Sequence, residues 1–165
     1  MNRNYTSSKN MKHRSIYIAF LSLLLMTIVQ SGMAQDALFD KYEDTNGVTT
    51  VYISKTMLSM IPNVKAGNHD IGQIAGKLDQ LRIITCEKAT LIPRILDDAK
   101  KIYKSEGYEV IMRMNDDGEK MTIYQRSLKG GKNEFVLLQE DSSDLNIINV
   151  KGAITLKDIQ MITGH

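Results

Sequence analysis

Phe135-Val136-Leu137-Leu138, inside the run Asn133–Gln139, is the stretch that decides the fold. Side chains of a strand alternate between its faces, so four consecutive apolar residues load both faces at once. Such a strand belongs at the centre of a sheet, covered above and below. Turn residues frame it on both sides. Gly130-Gly131 precedes it, and Asp141-Ser142-Ser143-Asp144 separates it from a further apolar run, Leu145–Val150. Upstream, Tyr108–Met114 and Glu119–Arg126 flank Asn115-Asp116-Asp117-Gly118, whose Asp-Gly pair favours a tight hairpin. These segments predict an antiparallel meander.

The N-terminal half alternates strands with helices. Val48–Ile53 is rich in β-branched residues and reads as a strand. Ser54 then caps a short helix carrying Met57, Leu58 and Ile61, which Pro62-Asn63 stops. Asp70 and Gln73 resemble a capping box before Ile71, Ile74, Ala75 and Leu78, so a second short helix is expected there. Leu81–Cys86 is the next strand. Thr90 is the expected cap of the longest helix, from about Leu91 to Glu106, with Ile92, Ile95, Ala99, Ile102 and Tyr103 as its apolar stripe and Gly107 as its stop. Thr155 and Asp158 resemble a capping box opening a last helix to about Ile162. The fold class expected is α+β: a two-layer domain with a mixed or antiparallel sheet of about six strands and helices packed mainly on one face.

Residues 1–34 read as a secretory signal peptide. Lys9, Lys12 and Arg14 precede the uncharged apolar stretch Ile16–Val29, and the small residues Gly32 and Ala34 stand just ahead of Gln35. A helix over that stretch covers about 21 Å of a hydrocarbon core about 30 Å thick, so cleavage after Ala34 is expected rather than retention. A membrane association is expected only if the segment stays uncleaved. The remaining organisation is a flexible N-terminal arm over 35–47 and a single α+β domain over 48–165. Four of the 21 Lys and Arg and none of the 19 Asp and Glu fall in 1–34, leaving a mature net charge of −2. A slightly acidic domain is a poor match to nucleic acid. Cys86 is the only cysteine, which excludes an intrachain disulfide, and Gln35 stands where N-terminal lipidation needs a Cys, so no lipid anchor is expected. The expected location is periplasmic or extracellular.

Chemistry-bearing residues are sparse. His13 belongs to the leader and His165 is terminal, leaving His69, which reads as an exposed loop residue rather than a zinc ligand or a base. Cys86 ends an apolar strand beside Glu87 and reads as a buried, inert thiol. Met57 with Met60, and Met112 with Met114, have the spacing to share a face; soft thioethers suit copper, but core filling is the simpler reading. Asp44-Thr45-Asn46-Gly47 opens like a calcium loop but lacks the downstream Glu, so it reads as a turn. Lys100, Lys101 and Lys104 read as a solvated helix face. No catalytic, cofactor-binding or metal-ligating residue is assigned.

Leu38-Phe39-Asp40-Lys41-Tyr42, the run Gly47–Met57, Asp79–Ile83 and the closing Gly152–Ile159 together resemble the domain of unknown function 4252 family, small exported proteins of Gram-negative bacteria. The resemblance spans nearly all of the mature chain. It implies a single α+β domain in the cell envelope and brings no catalytic residues. It also implies a setting near extracytoplasmic-function sigma factors and hence envelope signalling. Family members often carry a lipobox Cys, which Gln35 replaces here. The function expected is a non-enzymatic binding or interaction module with an envelope protein as partner. The alternatives are a small hydrolase using Asp97, Asp98 or Asp116 with Glu119, and a structural or oligomeric role.

Overall fold

The computed structural model describes residues 33–60, 65–66 and 69–163. Most of the expected leader, the Pro62-Asn63 stop, His13 and His165 lie outside the described residues. The elements are α1 (Met33–Tyr42), β1 (Val48–Ser54), α2 (Lys55–Met60), a small hairpin of β2 (Lys65–Ala66) and β3 (His69–Asp70), a 3₁₀ turn at Ala75–Lys77, and β4 (Leu78–Cys86). Then follow α3 (Ile92–Ser105), β5 (Glu109–Asp116), β6 (Glu119–Ser127), β7 (Asn133–Glu140), β8 (Leu145–Gly152) and α4 (Leu156–Thr163). Six strands form one open sheet in the order β1-β4-β8-β7-β6-β5, and every neighbouring pair is antiparallel.

Local chemistry explains the connections. Asp117 at φ +43° and Gly118 at φ +94° are the two left-handed residues that a two-residue β-turn between β5 and β6 requires. Gly107 at φ +72° ends α3, and the Tyr108 N–H donates to the Tyr103 carbonyl at 3.0 Å, closing the helix with a Schellman bond. At α4 the Thr155 N–H and hydroxyl both donate to Asp158 Oδ2 at 2.8 Å, the capping box expected there. The Met57 N–H donates to Ser54 Oγ at 3.4 Å, so Ser54 does cap α2. Thr90, in contrast, caps nothing: Leu91 is the N-cap of α3, and no side chain bonds to its free N–H groups. The helix expected from Asp70 is reduced to β3 followed by turns and the single 3₁₀ turn. Gly72 and Gly76 lower helix propensity at two of its central positions.

Alternation along the strands builds two cores. Leu81 and Ile83, Phe135 and Leu137, Ile148 and Val150 face one side with Leu58 of α2 and Ile159 of α4. Ile84 and Cys86, Val136 and Leu138, Leu145 and Ile147 face the other, with Ile95 and Ala99 of α3. Helices therefore cover both faces, which corrects the expectation of one helical face. α3 carries the chain from β4 across this second face to the far edge, β5.

The arm expected over 35–47 is also corrected. Its first part is α1, and Leu38, Phe39 and Tyr42 are buried in the same core as α3. An electrostatic clamp completes the docking: Asp98 of α3 accepts from Lys41 Nζ at 2.6 Å and from the Tyr42 hydroxyl at 2.5 Å. These two bonds hold the Asp98 carboxyl below its ordinary value. Burial, reinforced by the bond to Asp98, pushes the Tyr42 phenol up to about 12.

The clamp predicts a stability profile with a fall at each end of the pH scale. Asp98 is lowered in the folded state, so its contribution is present above 3.8 and lost as pH falls below that value. Tyr42 is raised, so its contribution is present below 10.0 and lost as pH climbs towards about 12. Urea titrations should show the acid fall flattened in Asp98→Asn and the alkaline fall flattened in Tyr42→Phe. Leu38→Ala should cost about 2–5 kcal/mol, where a loose arm would cost nothing.

Candidate functional site

An open sheet leaves alternate N–H and C=O groups of its two edge strands without partners, and most proteins blunt such edges with charges, prolines or bulges. The two edges here differ. β5 carries the exposed charges Glu109, Arg113 and Asp116, and its ladder with β6 is broken by a bulge between Val110 and Met112. β1, Val-Thr-Thr-Val-Tyr-Ile-Ser, has no charged residue and no proline over seven residues. Its register with β4 runs unbroken from Val48↔Cys86 to Ser54↔Gln80. None of the three devices that blunt an edge is present in it.

The surroundings of β1 are shaped. Tyr52 is 61% exposed and Val51 38% exposed. A cleft of about 230 Å³ is lined by Phe39, Asp40 and Glu43 from α1 and its C-terminal turn, by Thr50, Val51 and Tyr52 of β1, and by Arg82. A second cleft of about 380 Å³ continues along the same strand past Val48 and Thr49, with Thr85, Glu87 and Lys88. Arg82, directly opposite Tyr52 in the ladder, sets the wall of the first cleft. Its guanidinium lies 5.3 Å from the Tyr52 ring centre and 5.5 Å from that of Phe39, and Nη1 forms an ion pair with Asp36 Oδ1 at 2.9 Å. Its Nε is buried without a hydrogen-bond partner.

The residues weighed in the sequence do not assemble into a reactive centre. Asp97 pairs with Lys101 Nζ at 2.6 Å on the exposed side of α3, while Asp98 serves the α1 clamp. Asp116 and Glu119 face each other across the hairpin, and Glu119 accepts from Gln139 Nε2. Cys86 is fully buried, and its thiol donates to the Lys88 carbonyl at 3.6 Å. Met112 and Met114 pack against the first core, and Met57 and Met60 are exposed on α2. Asp44–Gly47 forms the turn into β1, with the Val48 N–H donating to the Thr45 carbonyl at 3.0 Å. The backbone of His69 lies in β3. Among the described residues no three His, Cys, Asp or Glu converge to hold a metal, and no helix is long and apolar enough to cross a membrane.

Sequence reasoning missed a buried ionic cluster on the α3 side of the sheet. Arg126 donates from Nη1 to Glu106 Oε2 at 2.7 Å and from Nη2 to Glu134 Oε2 at 2.6 Å. Asn149 Nδ2 donates to Glu134 Oε1 at 2.9 Å, and the Tyr108 ring centre lies 4.6 Å from the guanidinium. Burial raises the Tyr108 phenol well above its ordinary value. Glu106 is the C-cap of α3, so the cluster fastens that helix end to β6, β7 and β8. One signal was available: Glu134 has the parity of Val136 and Leu138, which places a charge on a core-facing position.

Fold and edge together define a small α+β domain, helical on both faces, with one edge strand free of charge, proline and bulge. The chain belongs to the domain of unknown function 4252 family, which it matches over residues 42–162. All of α1 before Tyr42 precedes the matched region. No curated protein and no solved structure matches the chain.

The ionic cluster predicts an asymmetric mutational response. Arg126→Met leaves Glu134 buried without its cation and should cost about 3–5 kcal/mol in urea denaturation. Arg126→Met combined with Glu134→Leu should recover part of that loss, since it removes the unpaired buried charge but leaves the buried Asn149 amide and Glu106 without their partners.

Proposed function

We propose that the protein is a non-enzymatic interaction module of the cell envelope that captures an extended segment of a partner protein by adding it as a strand to β1. The observation that carries this reading is the contrast between the guarded edge β5 and the unguarded edge β1. Strand addition supplies main-chain hydrogen bonds for affinity, and side-chain depressions beside the edge supply selectivity. The two clefts along β1 are suited to the second task. Tyr52, steadied against Arg82, offers a large aromatic surface at low entropic cost. Export rests on the leader-like residues 1–34, and the signalling setting rests on the family resemblance. The hydrolase alternative draws no support from the geometry, since its carboxylates are engaged separately: Asp97 with Lys101, Asp98 in the α1 clamp, and Asp116 and Glu119 at the hairpin.

A peptide library panned against the full chain tests this reading. Selected peptides should slow amide exchange across Val48–Ser54, and Val51→Lys, which puts a charge on the edge, should weaken their binding by tenfold or more. Ligands that protect a surface away from β1, or that bind Val51→Lys equally well, would contradict it.

A further inference from the structure

We infer that the strand accepted by β1 is basic on the side facing α1 and apolar on the other, a Lys- or Arg-alternating segment rather than a second copy of this chain. The inference rests on the edge-docking reading above and adds the chemistry of the occupant. The α1 side of the edge is acidic. Asp40 and Glu43 are exposed on the rim of the first cleft, and no described residue pairs with either. Of the cations near the first cleft, Arg82 is committed to Asp36 and Lys41 to Asp98 on α3, whereas Arg94 acts on Tyr42 and Asp98 and the exposed Lys88 lines the second cleft instead. An incoming strand therefore meets two unbalanced negative charges and the face of Tyr52, to which a Lys or Arg is the complement.

Register decides the opposite side. Val48, Thr50 and Tyr52 share the parity that faces α1, and Thr49, Val51 and Ile53 face the other way, where Ile53 packs against the first core. Thr49 and Val51 are exposed there. A β-branched residue at every second position of the incoming strand would cover them. A second copy fits less well. β1 itself is uncharged and could pair with itself, but a two-fold axis at Val51 would bring both acidic rims to the same side of the joined sheet, with no basic group to meet them.

Three labelled seven-residue peptides, alternating valine with lysine, serine or glutamate, would be titrated into the full chain at low salt. The lysine peptide should bind about tenfold tighter than the glutamate peptide, the size expected of two exposed ion pairs. The gap should close as ionic strength rises and in the Asp40→Asn/Glu43→Gln variant, while amides of Val48–Ser54 become protected. Equal binding of all three with β1 protected would overturn the basic assignment and leave edge docking standing. A dimer in sedimentation that Val51→Lys dissolves would overturn it in favour of a second copy. Protection of β1 by none of the three, with the chain monomeric, would overturn the assignment, and if the panned library also protects nothing at β1 the edge-docking reading fails with it.

Discussion

Burial of the central strands on both faces is the constraint on which the rest of the molecule depends. β4, β7 and β8 each send apolar residues to two separate cores. An antiparallel sheet loaded in this way needs helices above and below it. That requirement accounts for α3 crossing from β4 to β5 on one side, for α2 and α4 closing the other, and for α1 being drawn into the core through Leu38, Phe39 and Tyr42. It also decides where anything else can bind. With both faces occupied, unsatisfied backbone remains at the sheet edges, and the two edges are chemically unlike one another.

Charge in this domain serves mostly to position helices. Asp98 holds α1 through Lys41 and Tyr42, Arg126 holds the end of α3 through Glu106 and Glu134, and Asp158 caps α4 while accepting from Lys77 Nζ at 2.6 Å. Lys41–Asp98 and Lys77–Asp158 join elements far apart in sequence. The hydrogen bonds to Asp98 and Asp158 hold both carboxyls below their ordinary value, which is the opposite of what a general acid needs. Asp40 and Glu43 differ from these carboxylates in being exposed together on one rim without an ion-pair partner among the described residues.

Much of the fold was legible from local pattern. The meander from β5 to β8, the Asp117-Gly118 hairpin, α3 with its Gly107 stop and the Thr155 capping box all depend on residues within a few positions of each other. What was not legible depended on long-range partners. Leu38, Phe39 and Tyr42 lie in a polar segment, and only contact with α3 makes a docked helix of it. The 71–78 stretch has helical spacing, yet its apolar residues are satisfied by the turns that lead into β4. The one-face expectation conflicted with a signal already present, since Phe135–Leu138 can be buried only if both faces are covered. The candidate site was hardly legible at all. An uncharged Val48–Ser54 reads as any strand until the topology places it at an edge, and Arg82 gains meaning only from Phe39, Asp36 and Tyr52 around it.

Amide exchange of the free chain, resolved to single residues, bears most directly on whether the β1 edge is open. Fast and slow amides should alternate along Val48–Ser54, as the N–H groups point in turn to solvent and to β4, while β4 between its two neighbours should be slow throughout. Uniformly slow exchange along β1 would mean that its outer side is already paired, and the edge would not be free to take another strand.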